Sequence, residues 1–441
     1  MSIAIEQTIQ ALQVVLQEVP AGTNLALLQL LWSMLSGSFL KSRGAIFPAM
    51  KMSGFDDDEI RRGWAAMRYG IWRIDDLLAA WRNYVQVQGQ WHSYEYEGYK
   101  PVAADITTYW RFRLKGWTGR YFNGIANRLL CGIGLGVVVD VGHIDGHRLP
   151  LLRKILRAHP KDLSQDKLKE IILDWLARNL ADNEIALFDA GAHISDMQAT
   201  SVPRFVIRLA KNCTARRNYL PEYKKGRPPE YGKLVRPLAR KRKDKTISAS
   251  SPDETTAFTY QGRPIKVHCW RRLVLTKHKV ADHHDTFDIF VFFDPLYVEP
   301  LVLGTNVSVT AETTFKMYLD RWPVEQVPLS AKQMLGLGRH FVFAPESCQR
   351  LPELSLLAGN ILTHLAASLP AMPTGFWDRR PKKRLADYGG SWLRLIFQKK
   401  LFPTGNFGKS SLLPSIYQRA STLIGERNDT LEPFLLFLTA F

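Results

Sequence analysis

The sequence predicts an α/β fold: a mixed-sheet core interrupted by a β-rich insertion, with a helical N-terminal region and a mostly helical C-terminal region. Three observations lead there. Apolar residues recur at helical spacing over residues 1–98, short alternating or β-branched runs crowd residues 201–312, and helical periodicity returns at Thr313. A chain of 441 residues is also long for one structural unit, since domains usually run to about 100–200 residues.

In the first region, "DDDEIRRGWAAMRYGIWRIDDLLAAWRNYV" (56–85) opens with acids suited to a helix N-terminus. Residues 1–98 fit a DNA-binding module and equally a plain helical bundle, because periodicity specifies no partner. "KPVAADITT" then begins the core as a short strand. "RLLCGIGLGVVVDVGHIDGHRLP" reads as two more, with a turn at Gly134 and Gly136 and another at Asp145-Gly146. "LLRKILRAHPKDLSQDKLKEIILDWLARNL" (151–180) reads as helical, and "EIALFDAG" as a buried strand ending in a turn. These elements form the first part of the core, 99–200.

The insertion, 201–312, holds "RFVIRL", "RPIKVHCWRRLVL", "FDIFVFF" and "PLVLGTN" as strands, and a basic, proline-bearing stretch read as an exposed loop or arm. Residues 313–370 complete the core, and 371–441 mix helix with Gly- and Pro-rich loops.

Composition narrows the partners. With 46% hydrophobic and 11% aromatic residues the chain can build a large core, and its formal net charge of +18 points to a polyanion such as nucleic acid. The most apolar run, Leu25 to Leu40, is broken by Gln29, Ser33, Ser36, Gly37 and Ser38, so no membrane span is expected. No secretory signal opens the chain. Cys131, Cys213, Cys269 and Cys348 form no Cys-x-x-Cys pair, which argues against a zinc ribbon or disulfide framework and suits a reducing cytoplasm.

The acids at strand ends carry the chemistry. Asp105 follows Val102-Ala103-Ala104, and Asp189 follows Ile185 to Phe188 and precedes a glycine turn. A carboxylate at the end of a core strand is costly to desolvate unless it is paired or bound to a cation; it is also what a turn-forming Asp looks like. Two carboxylates brought together repel, and a divalent metal relieves that repulsion. Glu325 supplies a third, 136 residues after Asp189. Three acids on separate elements suit a two-metal phosphoryl-transfer site. Without His or Cys among them, magnesium is the expected ion.

"YLDRWPVEQVPLSAKQ" (318–333) spaces Tyr318, Arg321, Glu325 and Lys332 as Tyr-x2-Arg-x3-Glu-x6-Lys. This resembles the tyrosine-arginine-glutamate-lysine signature of DDE-type insertion-sequence transposases, mobile-element enzymes. "DITT" at Asp105, "FDAG" at Asp189 and "DPLYVEPLVLGTN" resemble the corresponding family segments, so that the likeness covers residues 100–365. The resemblance implies an RNase H-like core carrying a β-strand insertion, and magnesium-dependent cleavage and strand transfer at transposon ends. Two Mg²⁺ ions, replaceable by Mn²⁺, would be held by Asp105, Asp189 and Glu325.

It also implies that Tyr318, Arg321 and Lys332 hold phosphates of the DNA end, in keeping with the planar fork of Arg and the point charge of Lys. The implied partners are double-stranded DNA, as terminal inverted repeats and target, and a second copy of the chain in a dimer on paired ends. The implied location is cytoplasmic, on the nucleoid. Trp322 is a candidate for stacking on a base and Trp270 for gripping a displaced one; most large aromatics, however, are core. Arg240, Lys241, Arg242 and Lys243 add a basic run for the DNA backbone.

Pro323 and Pro328 depart from the signature, because an interior proline removes a helical hydrogen bond; a helix restarting at Pro323 would accommodate them. Asp140 and Asp145 compete with Asp105 for the first acid, and Asp105 is preferred because its strand opens the core. "CGIGLG" lacks the Lys-Ser/Thr of a phosphate loop, and "DHHD" (282–285) has no zinc spacing and reads as loop. A non-catalytic DNA-binding relative of the same fold, or a structure-specific endonuclease, are the alternatives to a transposase.

Overall fold

The computed structural model describes residues 3–369 apart from 18, 21–22, 43, 113, 116, 190, 223–226, 243–244, 281–284 and 338–341. The region expected at 371–441 and Lys243 therefore lie outside the described residues. The chain forms two compact units. Among the described residues, one gathers those up to 91, 144–149 and 327–369; the other gathers those in 92–143 and 150–326.

The first unit begins with helices α1 (Ile3–Gln17), α2 (Leu27–Leu35), α3 (Ser38–Lys41), α4 (Ile46–Met52), α5 (Asp57–Tyr69) and α6 (Ile74–Gln88). The acids at 56–59 start α5 by a reciprocal cap: Glu59 N–H donates to Asp56 Oδ1 at 2.8 Å and Asp56 N–H to Glu59 Oε2 at 2.7 Å. The predicted helical region is therefore helical.

The second unit is built on a large mixed sheet, and the α/β class read from the sequence holds. Its first strands are β1 (Trp91–Ser93), β2 (Lys100–Trp110), β3 (Arg120–Asn123), β4 (Arg128–Ile144) and β5 (His147–Arg157). Then come α7 (Gln165–Asn179), β6 (Glu184–Phe188), α8 (Ile194–Ala199) and β7 (Phe205–Arg208). β5 pairs with β4, β4 runs antiparallel to β2, and β6 lies between β2 and β7, parallel to both. On α7, Leu168, Ile172 and Leu176 recur every fourth residue and are buried with Val102, Ala104, Val138 and Leu156 of the sheet.

The insertion continues the same sheet from β7. It supplies β8 (Ala215–Arg217), β9 (Leu234–Val235), β10 (Arg240–Arg242), β11 (Lys245–Ile247), β12 (Glu254–Tyr260), β13 (Arg263–Val274), β14 (Phe287–Phe293) and β15 (Leu301–Thr305), of which β10 and β11 form a separate two-stranded sheet. β15 pairs antiparallel with β7, and β14, β13, β8 and β9 follow outward. The unit closes with α9 (Ala311–Arg321) and a 3-10 turn, Trp322–Glu325. From there α10 (Gln326–Met334) and α11 (Pro345–Ser368) belong to the first unit, save Gln326. In that unit Arg350 of α11 donates to the carbonyls of Met67, Arg68, Gly70 and Trp72, closing the C-terminal end of α5.

Three expectations are corrected. Gly134 and Gly136 mark no turn: β4 runs through both. They are glycine because neighbours crowd the strand, as a Cβ at 134 would lie 2.3 Å from the Tyr121 ring and one at 136 would lie 2.6 Å from Ile172. The turn that does occur is Asp145-Gly146, both at positive φ (48° and 76°), the twist a two-residue hairpin needs. Leu151–Arg157, read as helix, is strand β5, because its hydrophobic residues were ambiguous between the two periods. The basic stretch read as an open arm contains the β10–β11 pair, with Arg240 opposite Ile247.

The crowding makes a prediction. Gly134→Ala should destabilise the protein by about 1–3 kcal/mol, the usual cost of overpacking, visible as a lower thermal midpoint. An unchanged midpoint would show that the Tyr121 ring yields freely.

Candidate active site

Sheet register puts the first two acids side by side. The parallel pairing of β2 with β6 ends at Ala104 opposite Phe188, so Asp105 and Asp189 are the next residues on neighbouring strands. Asp105 Oδ1 accepts the backbone N–H of Ile106 at 2.8 Å. β7 lies beyond β6 with Ile207 opposite Phe188, which brings Arg208 beside Asp189. Arg208 Nη1 is 3.8 Å from Asp189 Oδ1.

The third acid arrives by helix. α9 packs on β2, β6 and β7 with Thr314, Met317, Tyr318 and Arg321 on its buried face, at the spacing of one helical stripe. Its N-terminus is capped by Thr310, whose hydroxyl accepts the Thr313 N–H at 3.2 Å. The chain then tightens into the 3-10 turn with Pro323 in its first positions, and α10 starts at Gln326 with Pro328 in its first turn. The prolines thus fall in first turns, where their missing N–H groups cost least; Pro323 lies in the 3-10 turn, and the α-helix restarts at Gln326 rather than at Pro323. Glu325 ends that turn.

Arg321 is the hub of the arrangement. Its side chain is 6% exposed, and Nη2 lies 3.1 Å from Glu325 Oε1 and 3.6 Å from Asp189 Oδ2. The guanidinium carbon sits 5.4 Å from the Tyr318 ring centroid. Tyr318 in turn donates its hydroxyl to Asp189 Oδ1 at 2.8 Å. Burial alone would lower the arginine's pKa, but Tyr318, Asp189 and Glu325 hold it above the ordinary value. Tyr318 is likewise held protonated, first by burial and then by the Asp189 anion.

Asp105 shows the opposite strain. Burial pushes its carboxyl up to about 6; Arg321 and the Ile106 N–H oppose this, while the charges of Glu325 and Asp189 add to it. Asp105 thus shares one field with both other acids and the arginine. Among the described residues, no three His, Cys, Asp or Glu side chains close around a common point as metal ligands. The guanidinium, placed against two of the acids, already supplies a positive charge there.

The sheet-to-helix connection is itself pinned. Glu97, at positive φ in the tight turn before β2, accepts from the hydroxyls of Thr310 and Thr313, both at 2.6 Å. Next to it the Tyr96 hydroxyl bonds Asp320, the neighbour of Arg321. Both ends of α9 are therefore tied to the segment that leads into β2. Glu97→Ala should cost about 1 kcal/mol, as loss of a helix cap does, measured as a shift of the denaturation midpoint.

Of the residues predicted for the site, the structure brings together Asp105, Asp189, Glu325, Tyr318 and Arg321. Trp322 is 52% exposed beside them in sequence, with its ring available to a partner. Lys332 lies on α10, in the first unit. Trp270 is corrected: it is fully buried on β13 in the hydrophobic core, and its indole N–H donates to Ser251 O at 2.9 Å, so it cannot grip a base. Arg240 donates to Asn212 O at 3.1 Å and Lys241 is exposed; the Arg242 side chain is outside the described residues. Asp140 is paired with Arg153 at 3.2 Å and belongs to the framework. Arg208, Tyr96 and Glu97 escaped the sequence reading, because strand register and a long-range cap, not spacing, bring them here.

No protein-family model matches the chain, and no curated protein matches it.

Proposed function

We propose that the protein is a metal-dependent DNA transposase of the DDE type, with Asp105, Asp189 and Glu325 as its acids. The observation that carries this reading is their convergence: two aspartates adjacent on parallel strands, and a glutamate brought to the same field by the helix that bears Tyr318 and Arg321. The strand sequence β5–β4–β2–β6–β7, whose last member opens the 201–312 segment read as the insertion, supports an RNase H-like core.

The donor set fits magnesium. It is all carboxylate oxygen, the hard donor type such an ion prefers, and the Asp105 carboxyl is raised first by burial and then by the charges of Glu325 and Asp189. Asp105, Asp189 and Glu325 would hold the ions, which when bound supply Lewis-acid activation of the attacking oxygen and stabilisation of the leaving one. The chain's own groups do the rest. Tyr318 fixes the orientation of Asp189 through its hydroxyl. Arg208, with its side chain 46% exposed, presents a fork to a phosphate at the edge of the site. Trp322 offers a stacking face, and the net charge of +18 favours DNA over neutral partners.

The test is incubation with a labelled duplex carrying a candidate element end and magnesium, followed by denaturing electrophoresis. The wild type should give nicked, hairpin or joined products. Asp189→Asn should keep DNA binding and lose cleavage; cleavage at wild-type rate would refute the assignment. Products joined to a second DNA separate a transposase from an endonuclease on the same core.

A further inference from the structure

We propose that Arg321 is the resident cation of the acid cluster: it holds the carboxylates before a divalent ion arrives, then transfers its guanidinium to a substrate phosphate. The inference rests on the metal-dependent reading above and concerns what the site does before it is loaded.

Two observations support it. The Arg321 side chain is 6% exposed, and one nitrogen, Nη2, faces both Glu325 (3.1 Å) and Asp189 (3.6 Å). Second, Nε and Nη1 are buried with no hydrogen-bond partner among the described residues. A guanidinium carries five N–H donors in a fixed fork, and leaving two of its nitrogens dry and unbonded is costly. Such a group is incompletely satisfied where it sits. A tetrahedral anion with several acceptor oxygens would satisfy it.

Divalent metal and Arg321 compete for the same carboxylate oxygens, so metal should bind weakly while the guanidinium occupies them. A phosphate that draws Arg321 away removes the competitor. Metal and phosphate then promote each other's binding, and by linkage the promotion is reciprocal. The consequence is order: the metal site becomes fully competent when the phosphate backbone is present, which limits cleavage by a metal-loaded but unengaged enzyme.

The test reads Mn²⁺ binding directly, by the loss of the free-ion spectrum in electron paramagnetic resonance, on the full chain without DNA. Arg321→Gln should bind Mn²⁺ about tenfold tighter or more, since a unit charge is removed at contact distance. Inorganic phosphate should tighten Mn²⁺ binding to the wild type and leave Arg321→Gln unchanged. The wild-type phosphate titration needs no variant and stands even if Arg321→Gln misfolds. Equal or weaker Mn²⁺ binding by a folded Arg321→Gln, or a wild type indifferent to phosphate, overturns the proposal. Asp105→Asn is the control. If it binds Mn²⁺ as the wild type does, the metal reading itself fails, whatever Arg321 does.

Discussion

Asp105→Asn is expected to stabilise the metal-free protein at neutral pH and, on the proposed function, to abolish its magnesium-dependent cleavage. The two effects share one cause. In the fold the Asp105 carboxyl titrates at about 6, above its ordinary 3.8, because burial and two neighbouring acids disfavour its charge. A group raised in this way contributes its stability below its unfolded pKa and loses it as pH rises through the folded one. Between about pH 4 and pH 6, then, the wild type loses stability that the asparagine variant keeps. At 1.36 kcal/mol for each pH unit, the gap at neutral pH is about 3 kcal/mol. Asn still accepts the Ile106 N–H, so little else is lost. Thermal midpoints of both proteins from pH 4 to 8 check this: the curves should meet at the acid end and diverge to a plateau above pH 6. Parallel curves would show that Asp105 is not strained. Cleavage should fall about a thousandfold or more, since losing one charged ligand removes several kcal/mol of Lewis-acid stabilisation. A residue that weakens the fold and is needed for the reaction is what a stability–activity trade-off looks like.

That strain was visible in the sequence only as an oddity, an acid directly after the apolar run Val102-Ala103-Ala104. The spacing of Tyr318, Arg321 and Glu325 was legible because three residues on one helix and its following turn keep their relation whatever surrounds them. Asp189 was legible as a strand end, whereas Asp105, read as one, lies in the middle of β2, which runs on to Trp110; their adjacency depends on β2 and β6 pairing in parallel across the 83 positions between them, which no local pattern states. The same holds for Arg208, an unremarked cation until β7 is set against β6. Where the sequence misled, a residue type had two uses. Glycine serves a turn at 146 and close packing at 134, and only the Tyr121 ring tells them apart. Trp270 likewise could grip a displaced base or fill the core, and its strand position buries it. The short apolar run at 151–157 satisfied both periods, and pairing with β4 decided it.

Arg153→Ala should be the most damaging single change to the second unit's framework, about 3–5 kcal/mol, and it also separates the acids of the fold from those of the site. Arg153 Nη1 lies 3.2 Å from Asp140 Oδ1 and 2.8 Å from Glu184 Oε1, with all three side chains less than a fifth exposed. Its other terminal nitrogen donates to Asn179 O at 2.8 Å, and the guanidinium lies over the Trp175 ring. These partners belong to β4, β6 and the last turn of α7, so one side chain ties the helix to two strands of the sheet. Removing it takes the shared cation from two poorly solvated carboxylates, the situation in which breaking a buried pair costs most. Burial offsets this attraction in the intact protein, so the loss measures the acids left without that cation more than the pair's net worth. Chemical denaturation with urea would read it as a lower midpoint at unchanged slope. Asp140→Asn is the informative companion. It keeps a hydrogen-bond acceptor for Arg153 and removes a charge from a position three residues from Asp105's partner in the β2–β4 register, Val137 being opposite Asp105 and Asp140 opposite Val102. Its stability should fall by less than that of Arg153→Ala, and its magnesium-dependent cleavage should stay at the wild-type rate. Loss of cleavage in a stable Asp140→Asn protein would move the first acid of the site from Asp105 to Asp140.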